Sequence, residues 1–302
     1  MQPSKFLILG GTGFVGTALT HRLARAGHSI VLPSRSPSRH PDLAVLPRVR
    51  LVAADIHDSA TLTRLAAGVD VVVNLVGILN EKGHNGQGFV HAHTRLTQKV
   101  LDACHANGIR RLLHMSSLRA HTDAPSHYLR SKGAAEQLIV AGARDLAWTI
   151  LRPSVIFGRH DSLTNRFADL LNLLPTLPLA RVGARFAPVH VADVVEAMVR
   201  SLDLPASQGA IYELGGPQIV TLGELVQYVA MVTHKRRWVF GIPDWVGYCQ
   251  ALVFEYLPGK ILSVDNFRSL GLDSVPQSDG FARLGIQPST MAQVVPHYLG
   301  RP

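Results

Sequence analysis

The run Phe6-Leu-Ile-Leu-Gly-Gly-Thr-Gly-Phe-Val-Gly16 constrains the fold more than any other part of this chain. Four apolar residues of strand length lead into a glycine loop, and an amphipathic helix pattern follows over Phe14–Ala26. The glycines read as Gly10-x-x-Gly13-x-x-Gly16 or as Gly11-x-Gly13-x-x-Gly16. A tight turn needs a residue without a β-carbon, a pyrophosphate needs bare backbone to approach, and the helix must pack closely on the strand. The helix N-terminus then offers free N–H groups and a partial positive charge to the phosphates. Glycines alone mark many turns; the strand before and the helix after make this run a dinucleotide cradle. The same glycines argue against a leader peptide over Phe6–His21. The apolar run stops at Leu9, and Arg22 and Arg25 crowd the cleavage-like Ala24-Arg-Ala26.

The pattern repeats. Strand-length runs at Phe6–Leu9, Ser29–Leu32, Val49–Val52, Val71–Leu75, Arg111–Met115 and Trp148–Leu151 alternate with helix patterns at Phe14–Ala26, Ser59–Ala66, Val90–Ala106 and Tyr128–Ala141. Continuous apolar strands separated by helices predict an α/β fold, a Rossmann-type doubly wound parallel sheet covered on both faces. After Leu151 the rhythm breaks, and prolines from Pro175 to Pro288 divide shorter pieces. The expected organisation is a Rossmann domain over residues 1–155 and a smaller, mixed C-terminal lobe over 156–302, with some chain returning to the sheet. An apolar content of 47% supports a sizeable core, and 17% charged residues, against about 25% in an average soluble protein, excludes disorder. Cys104 and Cys249 are too few for a disulfide framework, so a reducing, cytoplasmic setting is expected.

The end of the second strand selects the dinucleotide. NAD calls for an acidic residue there, to bind the ribose hydroxyls. This chain has Leu32-Pro33-Ser34-Arg35 instead, and its first fifty residues hold one acid, Asp42, against seven Lys and Arg. A guanidinium where a 2′-phosphate would lie points to NADP(H), with NAD(H) the lesser alternative. The net charge of +9 rests on 24 arginines among 30 basic residues, and the longest basic run is Lys235–Arg237. That is no nucleic-acid footprint.

Tyr128-Leu-Arg-Ser-Lys132 supplies the second motif. Tyrosine and lysine four apart share a helical face, and an ammonium near a phenol lowers its pKa, so the tyrosine could exchange a proton with a carbonyl. With the glycine loop and Asn74-Leu-Val-Gly77, the motif resembles the short-chain dehydrogenase/reductase superfamily. Arg152-Pro153 and Pro188-Val-His-Val-Ala-Asp193 look like its extended and atypical branches. Three segments, His114–Leu118, Tyr128–Lys132 and Leu151–Arg159, are most similar to one atypical subgroup: the bacterial relatives of the alpha-subcomplex subunit 9 of mitochondrial NADH:ubiquinone oxidoreductase, respiratory complex I.

The resemblance implies that Gly10, Gly13 and Gly16, with Thr12, Phe14 and Val15 on the same turn, cradle the pyrophosphate. Ser34 and Arg35 would hold the 2′-phosphate, Asp55 and Ile56 would lie near the adenine, and Asn74, Leu75, Val76 and Gly77 would follow the ribose. Pro153, Val155 and Ile156 would border the nicotinamide. Tyr128 would be the proton donor, Lys132 its helper and ribose ligand, and Ser117 the group steadying a carbonyl. Ser117 lies eleven residues before Tyr128, and the extended branch aligns its serine nearer Leu118, which has no hydroxyl. The implied activity is reduction of a hydrophobic carbonyl or a quinone-like compound, linked to complex I or ubiquinone metabolism. The alternatives are a non-turnover NADPH-binding protein that partners a respiratory or quinone-synthesis complex, and a sugar-nucleotide epimerase or dehydratase.

Other features carry blander expectations. Asp193 reads as a helix N-cap, and Cys104 as a core residue of an amphipathic helix. His91 and His93, two apart, diverge on a helix, and His105, His114 and His121 lack partners at ligand spacing, so no metal site is expected. The apolar segment Trp238–Leu257 holds two of three tryptophans and is bordered by Lys235, Arg236, Arg237, Pro258 and Lys260. It reads either as cleft lining or as a peripheral contact with a partner or the inner face of a membrane. No run is apolar enough to span one.

Overall fold

Consecutive residues of the first strand, β1 (Lys5–Leu9), enter opposite cores: Phe6 and Ile8 one, Leu7 and Leu9 the other. A strand buried on both faces needs an unbroken apolar run, and this is why Phe6–Leu9 shows no polar alternation. A computed structural model describes residues 3–257 and 262–300; Pro258 and Lys260 lie outside the described residues. The other strands of the main sheet are β2 (Ser29–Ser34), β3 (Val49–Ala53), β4 (Val71–Asn74), β5 (Arg111–Met115), β6 (Ala147–Pro153) and β7 (Ala210–Leu214). Their order is β7-β6-β5-β4-β1-β2-β3, and every pairing is parallel. The order reverses between β1 and β4. That reversal opens a crevice at the carboxyl ends of the strands, where open α/β sheets place their ligands.

Helices cover both faces. On one, α1 (Phe14–Arg25) sets Leu19 and Leu23 against Phe6 and Ile8. On the other, α2 (Ser59–Ala66), α3 (Leu96–Ala106) and α4 (His127–Gly142) set Leu62, Val100, Cys104 and Ile139 against Leu7, Leu9 and Val72. Cys104 is core, as expected, and burial pushes its thiol up to about 12. Ser126 caps α4 through its hydroxyl, which accepts from Leu129 N at 3.2 Å. The six strands and four helices read from the first half all form. The helical pattern over 90–106 begins with a wide π turn, Val90–Arg95, before α3.

The second half contributes both a strand and a helix to this sheet. β7 extends the β6 edge, and α6 (Val191–Asp203) buries Val194, Val195 and Met198 beside Leu113 and Leu151; α5 (Thr164–Leu173) precedes it. Asp193 is not the N-cap of α6. The helix starts at Val191, and Asp193, in its first turn, accepts hydrogen bonds from Ser289 N (2.7 Å) and the Ser289 hydroxyl (3.3 Å). The remaining chain builds the smaller lobe around Phe157, Leu171, Leu179, Leu225 and Val229, with α7 (Leu222–Val232), α8 (Asp244–Glu255) and α9 (Val264–Ser269). A parallel ribbon, Thr176–Ala180 with Trp238–Ile242, spans it. No helix among the described residues is long and apolar enough to cross a membrane.

Candidate functional site

The β1–α1 turn is shaped by what its glycines leave out. Gly10 has φ +77°, and a Cβ there would stand 3.1 Å from the Leu75 carbonyl carbon on the loop after β4. A Cβ at Gly16 would stand 2.2 Å from Gly10 O and 2.6 Å from Gly11 Cα. This is the close helix–strand approach that the spacing predicts. Gly13 is different: it is exposed, and a Cβ there would meet only Gly10 O, at 3.3 Å. Gly13 also caps α1 with no side-chain hydrogen bond, and no acidic residue stands in the first turn. Bare backbone, unoccupied N–H groups and the positive helix end face the crevice together, so the residues present fit a pyrophosphate. Thr12, Phe14 and Val15 are partly exposed around it, and the Phe14 ring closes on Gly158, where a Cβ would be 3.1 Å from Phe14 Cζ.

The neighbouring strand ends bring the other candidates into the same crevice. Ala54 N donates to Ser34 O at 3.1 Å, joining the β2 and β3 ends that carry Arg35 and Asp55. Arg35 is exposed, and Asp55 accepts from His57 N at 2.9 Å. Ile56 is half-buried behind it, against the core that α2 and α3 cover. The His57 ring stacks on His91 at 4.1 Å, and burial, then His91, then Lys99 and Arg35 hold it below the ordinary histidine value, against a pull from Asp55. Asn74 does not face the crevice. Its side chain is buried, donates toward Thr97 Oγ1 (3.4 Å) and His114 Nδ1 (3.3 Å), and accepts from Val76 N (3.2 Å). Asn74 therefore shapes the Leu75–Gly77 loop. Pro153 ends β6, and Val155 and Ile156 follow it half-buried.

Ser117, Tyr128 and Lys132 converge. The β5 chain continues through Leu118 N to Pro153 O (3.1 Å), placing Ser117 at the carboxyl edge. The Ser117 hydroxyl donates to Leu118 O (3.3 Å) and stands near enough to Tyr128 to act on its phenol. Leu118 is buried and Ser117 half-buried. Lys132 Nζ donates to Met115 O (2.9 Å) and Val76 O (3.3 Å), and it lies 3.4 Å from where a Gly77 Cβ would be. Burial pulls its pKa down to about 8, against a smaller opposing pull from Glu136. The expected lowering of the Tyr128 pKa is not found. Burial raises it, Ser117 opposes the rise only in part, and the lysine charge is directed to two carbonyls.

Lys132 has a measurable consequence. Its proton is held less tightly in the folded protein than in free lysine, at 10.5, so the buried charge costs stability below pH 8. That cost is relieved as pH rises from about 8 toward 10.5. Wild-type stability should therefore rise between about pH 8 and pH 10.5 relative to Lys132→Met, which has no group titrating there and also loses the donor to the Met115 and Val76 carbonyls. Thermal melts of both proteins from pH 6 to pH 10, taken without cofactor, check this.

Sequence reasoning missed two supports of Tyr128. His93, on the π turn, accepts from Ile78 N at Nε2 (3.1 Å) and reaches Ser131 Oγ from Nδ1 (2.8 Å); that hydroxyl donates to Tyr128 O (2.8 Å). Burial, then Lys132 and His114, push His93 down to about 2, so it stays neutral. The second is Asp265 of α9, whose carboxylate accepts from His127 N (2.6 Å) and Tyr128 N (3.0 Å) at the start of α4. The only sequence signal for either was a histidine spacing judged unfit for metal binding. Beside them lies a cavity of about 180 Å³ lined in part by Phe89, His127, Tyr248, Leu252, Tyr256 and Asp265. The Phe89 ring is 6.0 Å from that of Tyr128.

A seven-stranded parallel sheet covered by helices on both faces, with a glycine turn after β1, defines a Rossmann-type α/β protein. The chain belongs to the NAD dependent epimerase/dehydratase family, which it matches over residues 6–215. It is 33% identical over 262 residues to the mitochondrial NADH dehydrogenase [ubiquinone] 1 alpha subcomplex subunit 9 of Arabidopsis thaliana, covering 84% of this chain and 64% of that protein, under two thirds of its length. It is 29% identical to the ceramide reductase of Caulobacter vibrioides, covering 86% of this chain and 91% of the relative. Among solved structures, the dTDP-glucose 4,6-dehydratase of Streptomyces venezuelae with NAD bound superposes with a TM-score of 0.77 at 20% identity, over 97% of this chain and 95% of that one. This last likeness is one of fold.

Proposed function

We propose that the protein is an NADP(H)-dependent reductase of a hydrophobic carbonyl or quinone-like compound, acting in association with respiratory complex I or quinone metabolism. The observation that carries this reading is the place of Tyr128 and Lys132 on α4 over the strand ends, with Lys132 Nζ on the carbonyls of Met115 (2.9 Å) and Val76 (3.3 Å) and Ser117 just past the end of β5. The ceramide reductase relative supports a reductase with an apolar substrate, and the complex I subunit relative supports the respiratory association. Residues 1–155 would hold the dinucleotide, and residues 156–302 would present the substrate.

Bound NADPH would supply a hydride to the carbonyl carbon. Gly10, Gly13 and Gly16 would seat the pyrophosphate, and Arg35 the 2′-phosphate. Asp55 and Ile56 would border the adenine, Leu75–Gly77 and Lys132 a ribose, and Pro153, Val155 and Ile156 the nicotinamide. Ser117 would donate to the carbonyl oxygen, and Tyr128 would deliver the proton that completes the alcohol or quinol. Burial keeps the Tyr128 hydroxyl protonated at neutral pH, which suits a proton donor in the reductive direction.

Arg35 sets the choice of cofactor in this reading. Losing a charge-assisted pair with a phosphate costs about 1.5–3 kcal/mol, so Arg35→Ala should weaken NADPH about tenfold to a hundredfold and leave NADH unchanged. Calorimetric titration of wild type and variant with both nucleotides tests it. Tighter NADH than NADPH binding by the wild type would overturn the assignment. Turnover is tested by following NADPH oxidation with quinones and long-chain ketones. A specific observation favours a second reading, an NADPH-binding partner without turnover: Lys132 is committed to backbone carbonyls and leaves the Tyr128 pKa high. Tight NADPH with no oxidation would favour it, and UDP-sugar binding would favour an epimerase.

A further inference from the structure

Helix α8 is turned inside out. The residues it buries are Gly247, Ala251 and Glu255, four apart, whereas Trp245, Tyr248, Leu252, Val253 and Tyr256 are exposed on the other side. Packing explains the inner face: a Cβ at Gly247 would stand 2.6 Å from that of Ala180, so only small residues allow the helix onto the Thr176–Ala180 strand. On the outer face Tyr248 meets the Phe267 ring (5.9 Å) and Tyr256 that of His84 (4.8 Å), while Trp245, Leu252 and Val253 stay exposed. Trp245 is 73% exposed, Tyr256 73% and Val253 61%. Trp238 and Phe240 of the preceding strand, whose rings lie 5.2 Å apart, and Leu173 at the end of α5 are exposed as well. Ten of the fifteen large apolar side chains exposed among the described residues fall in Leu173, Leu174 and Trp238–Leu257. Exposed apolar side chains concentrated in this way mark an interaction site, while singly scattered ones do not.

We propose that the outer face of α8, with the Trp238–Ile242 strand, docks on the surface of an anionic lipid bilayer and presents the cavity beneath it to an amphiphilic substrate held in that bilayer. Three observations select a lipid surface over a protein partner or a second copy. The face combines tryptophan, tyrosine and aliphatic side chains, the composition that settles at the boundary of headgroups and acyl chains. Lys235, Arg236 and Arg237 lead directly into its first strand in a chain of net charge +9, complementary to an anionic surface. Tyr248, Leu252 and Tyr256 belong both to the patch and to the cavity wall. A protein seated on α8 would seal that cavity, whereas a bilayer would feed it. The entry of substrate rests on the reductase reading above; the docking does not.

The test is sedimentation of the full chain with vesicles of phosphatidylcholine alone and of phosphatidylcholine mixed with phosphatidylglycerol, read together with tryptophan emission. Two of the three tryptophans lie on the patch, so binding should shift emission to the blue. The wild type should bind the mixed vesicles at least about tenfold more tightly than the neutral ones, and salt should reduce the difference. Trp245→Ser with Val253→Ser should lose about tenfold or more in vesicle affinity, with unchanged melting temperature and NADPH binding. Failure to sediment with either vesicle would overturn the proposal, as would undiminished binding by the double variant. A dimer in velocity sedimentation that the variant dissolves would also overturn it and assign the face to a second copy. Vesicle binding without NADPH binding would remove the reductase reading and leave docking intact; the reverse would remove docking alone.

Discussion

Tyr128→Phe is expected to abolish turnover and spare the cofactor. The phenol ring is positioned by edge contacts with Phe89 and His93, at centroid distances of 6.0 and 5.6 Å, and its backbone by Asp265 and Ser131. None of these needs the hydroxyl, so phenylalanine should occupy the same place with little change in melting temperature. The hydroxyl is the only proton source the proposed mechanism uses. Its removal should lower kcat about a hundredfold to ten-thousandfold, the usual range for a positioned acid, with NADPH affinity within about threefold of wild type. The raised pKa adds a directional signature. Reduction should be insensitive to Tyr128 ionisation through neutral pH, and the reverse oxidation should quicken as pH rises toward the elevated phenol value. Steady-state rates in both directions, with cofactor affinity by fluorescence, measure this. Full turnover in the variant would remove Tyr128 from the chemistry.

Gly16→Ala should destroy both the fold of the cradle and its ligand. The added methyl would meet the backbone of Gly10 and Gly11, at 2.2–2.7 Å, and no flexible side chain can yield there. Helix α1 must then lift from β1, loosening Leu19 and Leu23 against Phe6 and Ile8 and moving the N–H groups that would face the phosphates. Overpacking of this kind costs about 1–3 kcal/mol or more, and NADPH affinity should fall at least about a hundredfold. Two companions separate the causes. Gly13→Ala adds a methyl whose one close contact is Gly10 O at 3.3 Å, so it should cost much less stability than Gly16→Ala and lose affinity chiefly by crowding the phosphates. Gly183→Ala meets nothing within 4 Å and should change neither. Melting curves and NADPH titrations of the three suffice. A stable, NADPH-binding Gly16→Ala would refute the close-approach argument.

The legible parts of the chain were those governed by local rules. Phe6–Leu9, Val71–Val73 and Arg111–Met115 announce buried parallel strands because both their faces are covered, and the Gly10–Gly16 spacing announces its turn because only glycine permits the approach. β7 was expected only as some chain returning to the sheet. Ala210-Ile-Tyr-Glu-Leu214 is an edge strand with one polar residue, and its place is fixed by pairing with β6, sixty residues earlier. Asp193 reads as a cap from the sequence, but the helix starts three residues earlier, which makes that carboxylate a tether for Ser289.

By itself, then, the sequence determined the doubly wound sheet, the phosphate turn and the pairing of Tyr128 with Lys132 on one helical face, all set by periodicity or by spacings of a few residues. The tertiary structure decided which groups those residues meet. It put Lys132 on the carbonyls of Val76 and Met115, left Tyr128 to Ser117 with a raised pKa, turned Asn74 inward and set Asp265 at the start of the tyrosine helix. It also turned the aromatic face of α8 outward, because Ala180 admits only the Gly247–Ala251 side. The physical reason is range: a hydrogen bond or a steric limit between residues 137 apart in sequence, as between Tyr128 and Asp265, exists only once the chain has folded, and no local pattern encodes it.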